Sequence, residues 1–82
     1  MLNLNYSLVI EATDDPRFFA FYSPDLEGFT GTGESIEDCL EKARIGVKEH
    51  LALMKERNLP IPSPNLNPTV TIKDTRPVRQ GA

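Results

Sequence analysis

Pro24-Asp25-Leu26-Glu27-Gly28-Phe29-Thr30-Gly31-Thr32-Gly33-Glu34-Ser35-Ile36-Glu37-Asp38 is the stretch that decides the fold. Ser35 followed by Asp38 is a capping-box-like pair, in which the hydroxyl takes one orphan amide of a first helical turn while the carboxylate reaches back. A helix is therefore expected to start at Ile36. Before it, Pro24 ends an extended run, Asp25-Leu26-Glu27-Gly28 reads as a loop, and residues 29–33 read as a short third strand whose glycines point to bulges or close backbone approach. Three glycines ahead of a helix also raise the question of a phosphate-cradling loop. Their spacing fits neither glycine-rich fingerprint, no Lys-Ser/Thr follows, and Glu34 would compete with a phosphate at the helix N-terminus.

Beyond the cap, Ile36, Cys39, Leu40, Ala43, Val47, Leu51 and Met54 recur at steps of three and four. This predicts a helix over residues 36–58 with one apolar stripe for a sheet. Glu37, Asp38 and Glu41 crowd its first turns and Lys55 and Arg57 its end, both favourable to the macrodipole. Ile45 sits nearly opposite the stripe, as an outward apolar residue. Cys39 reads as a small apolar side chain near the core. His50 borders the stripe about three turns from Cys39, too far for the two to share an ion, and reads as structural.

Upstream, residues 6–12 alternate as a first strand, with Tyr6, Leu8, Ile10 and Ala12 on one face. Thr13-Asp14-Asp15-Pro16 is turn chemistry, and residues 17–23 are extended again, which makes a hairpin. Phe18-Phe19-Ala20-Phe21-Tyr22 is apolar on both faces, so this strand is expected to be central, covered by the helix on one side and by another subunit on the other. After the helix, a proline-rich run from Asn58 to Pro68 favours polyproline-like backbone. Leu59, Ile61 and Leu66 are expected to anchor it as it crosses the end of the sheet and delivers residues 69–73 as a last strand. Residues 75–82 read as an exposed tail to a domain over residues 1–74.

The resulting order is β-β-β-α-β. A right-handed crossover through the helix sets the fourth strand beside and parallel to the first, in the order 3-2-1-4. The expected class is α+β, one mixed sheet packed on one long helix.

Eighty-two residues form one small domain, for which self-association into a dimer or tetramer is an expected aid to stability. One cysteine permits no internal disulfide, no apolar run is long enough to span a bilayer, and the start lacks the pattern of a secretory signal, so a soluble cytoplasmic protein is expected. The net charge of −3 hides a segregation: between Glu11 and Glu41 nine acids face Arg17 alone. Such a field steers basic partners and repels phosphate.

Residues 6–11, the run Phe19-Ala20-Phe21-Tyr22-Ser23-Pro24-Asp25-Leu26-Glu27-Gly28, the run Thr32-Gly33-Glu34-Ser35-Ile36-Glu37-Asp38-Cys39-Leu40-Glu41-Lys42-Ala43 and the exit Leu59-Pro60-Ile61-Pro62-Ser63-Pro64 together resemble the HicB-like antitoxin family. The resemblance spans roughly residues 5–73 and rests on the Pro-Asp-Leu-x-Gly loop, the Gly-x-Ser/Thr-x-x-Glu/Asp helix start and the Pro-x-Pro exit. It implies a partial ribonuclease H-like fold and the antitoxin role in a type II toxin–antitoxin pair. The implied partner is a HicA-like toxin, a small basic ribonuclease whose active site the antitoxin covers. Phe29 stands where many relatives carry Cys after the glycine. Members that act as autorepressors carry a C-terminal helix-turn-helix or ribbon-helix-helix module. Here the chain stops soon after the fourth strand, so no direct DNA binding is expected.

The expected docking face combines the acids Asp14, Asp15, Asp25, Glu27 and Glu34 with Leu26, Phe29 or exposed second-strand aromatics as buried anchors. No cofactor, metal or catalytic group is expected. Two alternatives stand beside the antitoxin reading. One is a free-standing homo-oligomer of the same fold without a toxin. The other is a metal-dependent nuclease, which would need several carboxylates converging on divalent ions, whereas Glu11 has no matching acids on the third strand.

Overall fold

A computed structural model describes residues 5–74. Its elements follow the order β1 (Leu8–Ala12), β2 (Phe19–Ser23), β3 (Leu26–Gly33), α1 (Ile36–Glu56) and β4 (Val70–Lys73). The strands form one sheet in the order β3-β2-β1-β4, with β1 antiparallel to β2, β2 antiparallel to β3, and β4 parallel to β1. The α+β class and the 3-2-1-4 order are those the sequence predicts. The tail expected over residues 75–82 lies outside the described residues.

Element boundaries differ in instructive ways. β1 begins at Leu8, because Ser7 turns its amide to the Asp25 carboxylate and its hydroxyl to Thr69 and Asn65 instead of joining a ladder. β2 begins at Phe19, because Asp15 folds residues 13–18 back on themselves. Its carboxylate accepts from the Arg17 amide and its carbonyl from the Phe18 amide, while the Thr13 hydroxyl donates to the Phe18 carbonyl.

The largest departure is at β3, which starts at Leu26 and not at Phe29. Ser23 pairs with Leu26 across the two residues Pro24 and Asp25, and the register then jumps so that Tyr22 opposes Thr30. The extra residues form a bulge in which Gly28 takes a φ of +82°, a left-handed conformation that glycine adopts without a Cβ penalty. The bulge changes which side chains face inward. Leu26 and Phe29, three apart, both enter the core, which strict alternation forbids.

The helix side of the sheet is built of large residues and the sheet side of the helix of small ones. Tyr6, Leu8, Ile10, Phe19, Phe21, Leu26 and Phe29 are buried from the strands and their approaches, against Cys39, Ala43 and Val47 from α1. Each large apolar side chain so buried contributes about 1.5–3 kcal/mol. Glycines make the interlock possible. The Phe21 ring lies over Gly31 where a Cβ would stand, and a Cβ on Gly46 would come 3.1 Å from the Phe29 ring. At Gly33 it would meet the Cys39 sulfur at 2.8 Å and the Cys39 backbone nitrogen at 3.1 Å.

The helix starts as the sequence predicts, with the Ser35 hydroxyl accepting from the Asp38 amide. The Asp38 carboxylate accepts from the Glu34 amide, one residue ahead of the cap. α1 ends at Glu56, two residues before the expected Asn58, because Asn58 adopts a left-handed φ of +57°. The Asn58 amide then donates to the Lys55 carbonyl and the Leu59 amide to the Met54 carbonyl, the pair of bonds that defines a Schellman stop. From there the proline-rich segment crosses the sheet end, held by the Tyr6 hydroxyl donating to the Pro62 carbonyl at 2.7 Å. Leu66, expected as an anchor of this segment, is fully exposed, and Leu59 and Ile61 are about half so.

Two glycine substitutions are expected to fail for different reasons. Gly31→Ala overpacks the Phe21 ring and costs about 1–3 kcal/mol. Gly28→Ala meets open space but a forbidden backbone angle, costing about 1 kcal/mol, most of which Gly28→Asn recovers. Urea unfolding of the three variants beside the parent checks both.

Candidate functional site

The two hairpin turns of an antiparallel meander lie at opposite ends of the sheet, and this divides the residues expected to form one docking face. Asp14 and Asp15 sit in the β1–β2 turn, at the end where Phe19 pairs with Gly33 and α1 begins. Glu34 is at that same end, together with Glu37, Asp38 and Glu41 from the first turns of α1. Asp25 sits in the β2–β3 turn at the opposite end, with Glu27 just inside β3. Leu26 is fully buried and Phe29 is 7% exposed, so both belong to the core and neither can anchor a partner. The seven residues therefore do not share one surface: three form part of an acidic end, two lie at the far end, and two are interior.

At the acidic end the charge is partly organised. Lys42 pairs with Asp38 at 3.1 Å and Arg44 with Glu41 at 2.7 Å, each across one helical turn. Such exposed pairs, screened by solvent, contribute little to stability. The Glu34 amide, followed by Lys42, holds the Asp38 carboxyl below the ordinary aspartate range. Asp14, Asp15, Glu34 and Glu37 are exposed. Beside them stands Phe18, an aromatic ring 45% exposed on a turn held by the Asp15 and Thr13 hydrogen bonds. Sequence reasoning named the second-strand aromatics only as a group. The signal that singles out Phe18 is its odd position before β2, off the phase that buries Phe19 and Phe21.

Asp25 does different work. Its Oδ2 accepts from the Ser7 amide at 2.7 Å and from the Asn65 side chain at 3.0 Å. Asn65 also donates to the Ser7 hydroxyl and, through its backbone amide, to the Asn5 carbonyl. One carboxylate thus ties the β2–β3 turn, the approach to β1 and the proline-rich segment together. The Ser7 amide, then the Asn65 side chain, hold the Asp25 carboxyl below the ordinary aspartate range. Nothing in the spacing of Ser7, Asp25 and Asn65 marks them as partners in the sequence.

Glu27 lines a shallow groove of about 400 Å³ with Met54, Leu59, Pro60 and Pro62, where the helix stop meets the proline-rich segment. Cys39 is fully buried, and burial, then the neighbouring Asp38 charge, pushes its thiol up, which disfavours the reactive thiolate. The His50 ring packs edge-on against Phe29 at 5.5 Å, and its Nε2 is buried without a hydrogen-bond partner among the described residues. Among the described residues no three His, Cys, Asp or Glu side chains are grouped to hold a metal ion, and no helix is long and apolar enough to cross a membrane. No family model, curated protein or solved structure matches the chain.

A lowered carboxylate pKa in the folded state stabilises the fold above the ordinary value and loses that contribution as pH falls through the folded one. Thermal melts are therefore expected to drop as pH falls below about 4, where aspartates protonate. Asp25→Asn is expected to melt lower at neutral pH and to show a shallower acid drop, and adding Asp38→Asn flattens the drop further. An acid drop in Asp25→Asn as steep as the parent's refutes the assignment.

Proposed function

We propose that this chain is a protein-binding module of the antitoxin type, which docks a small basic RNA-cleaving protein in the cytoplasm and covers its active site. The reading joins the resemblance of residues 5–73 to HicB-like antitoxins with the arrangement at one end of the fold. The observation that carries it is the acidic end, where the exposed Asp14, Asp15, Glu34 and Glu37 share one end of the sheet with an exposed aromatic ring, Phe18. Complementary charge of this kind sets on-rate and orientation, whereas affinity comes from a few well-packed anchors, aromatics above all. Of the expected anchors, Leu26 and Phe29 are interior, and the role falls to Phe18, from the second-strand aromatics. Its turn is fixed by hydrogen bonds before any partner arrives, so little ordering cost falls due on binding. The same field repels RNA phosphate, so a bound partner would lose its substrate both by occlusion and by charge.

The product of an adjacent basic open reading frame is expected to copurify with this chain and to lose RNA cleavage in the complex. Raising salt weakens the pairing, as does Asp14→Lys combined with Asp15→Lys. Phe18→Ala weakens binding at least about tenfold while leaving the melting temperature within a degree or two, since the ring is exposed. Asp25→Lys, by contrast, lowers the melting temperature itself. Absence of any complex, or full cleavage activity within it, overturns the proposal.

A further inference from the structure

Among the described residues the sheet ends at β4, with no strand on its outer side, and the phase of that edge is fixed by its neighbour. The Leu8 amide donates to the Thr69 carbonyl at 2.8 Å, and Leu8 is in register with Val70 and Ile10 with Ile72. In a parallel ladder of that phase, the backbone groups of Thr71 turn toward β1, and the amides and carbonyls of Val70 and Ile72 point away from the sheet. The side chains of Val70 and Ile72 share the helix side with Leu8 and Ile10. Because α1 packs over β2 and β3, they stay 38% and 50% exposed. The run Val70-Thr71-Ile72 carries no proline, charge or bulge, and of the devices by which free edges are usually blunted β4 has only its shortness and its closing Lys73. The other edge, at β3, has such devices: the bulge at Gly28, with Glu27 beside it and Glu34 beyond.

We infer that β4 pairs with β4 of a second copy of this chain, antiparallel about a two-fold axis at Thr71, to make one eight-stranded sheet. An axis at Thr71 sets Val70 opposite the second copy's Ile72 and the reverse. Both are outward-facing residues, so each pair exchanges two hydrogen bonds, and Thr71 faces its own copy in the close, non-hydrogen-bonded pair between them. The four apolar side chains then cover one another on the helix side, with threonines on the other face and no charge opposed to a like charge. Centring the axis on Ile72 instead would set Val70 against Asp74 and Thr71 against Lys73. A shift by an odd number of positions would mismatch the two faces altogether. The contact is self-complementary and closes at two copies. It engages about four residues a side, against the roughly 20–30 a side of a stable interface, so the dimer is reversible. None of the residues proposed to meet the basic partner take part, and the two ideas stand or fall separately.

Sedimentation of the full chain is expected to show a monomer–dimer equilibrium between about 10 μM and about 1 mM, shifted at least about tenfold toward monomer by Ile72→Lys. Thr71→Cys places two thiols across a Cα separation of about 4.5 Å, within the range a disulfide spans. Under oxidised glutathione it is expected to form a linked dimer at least about tenfold faster than Lys73→Cys, whose residue lies opposite Thr69. Cys39, buried, does not compete, and the exposure of Thr71 leaves the melting temperature of Thr71→Cys near the parent's. A chain that stays monomeric across the range, or cross-linking of the two cysteine variants at equal rates, overturns the inference. A strand from a different protein occupying the edge would give the first of these results.

Discussion

The fold depends on rings lying against glycines. Phe21 covers Gly31 within the sheet and Phe29 presses on Gly46 of the helix, so both aromatic side chains lie flat enough for α1 to settle on β2 and β3. The two rings also meet each other at 5.8 Å, tilted, a geometry favourable to their quadrupoles. With larger residues at those glycines the helix would ride higher, and Cys39, Ala43 and Val47 would no longer reach the sheet. A glycine in mid-helix costs about 1 kcal/mol of helix propensity. Gly46 is offset by the packing of Phe29.

The same interlock explains what was legible in the sequence. The helix and its cap could be read because Ser35, Asp38 and a stripe of seven apolar positions agree on one period. The strand order followed from connection lengths and the handedness of the crossover. β3 could not be read correctly, because a bulge joins two segments of opposite phase, and Leu26 and Phe29, three apart, look like loop and strand when both are core. The division of the acids was hidden for a different reason. Asp15 and Asp25 are ten positions apart in the chain, yet a five-residue strand carries them to opposite ends of the sheet. Charge clustering along a sequence becomes clustering in space only when turns alternate favourably.

The consequence is a division of labour between carboxylates that composition alone treats alike. Asp14, Glu34 and Glu37, at the end where the helix starts, are exposed, whereas Asp25 is consumed internally by Ser7 and Asn65. A residue whose hydrogen-bonding capacity is spent on its own fold has little left to offer another molecule. Phe18, outside the inward phase of β2, is in the reverse position: the core does not use it, and it remains available.

The parallel pairing of β1 with β4 joins Ser7 to Thr69 across 62 positions of chain. Every other pairing in the sheet is between neighbours in sequence and closes only a short loop. Because closure entropy must be met before distant contacts reward it, the hairpins and the helix assemble ahead of the last strand. During synthesis, one side of β1 therefore stays bare until Val70–Lys73 have been made and released. The nascent protein passes through a three-stranded stage in which its most buried strand is also its most adhesive one.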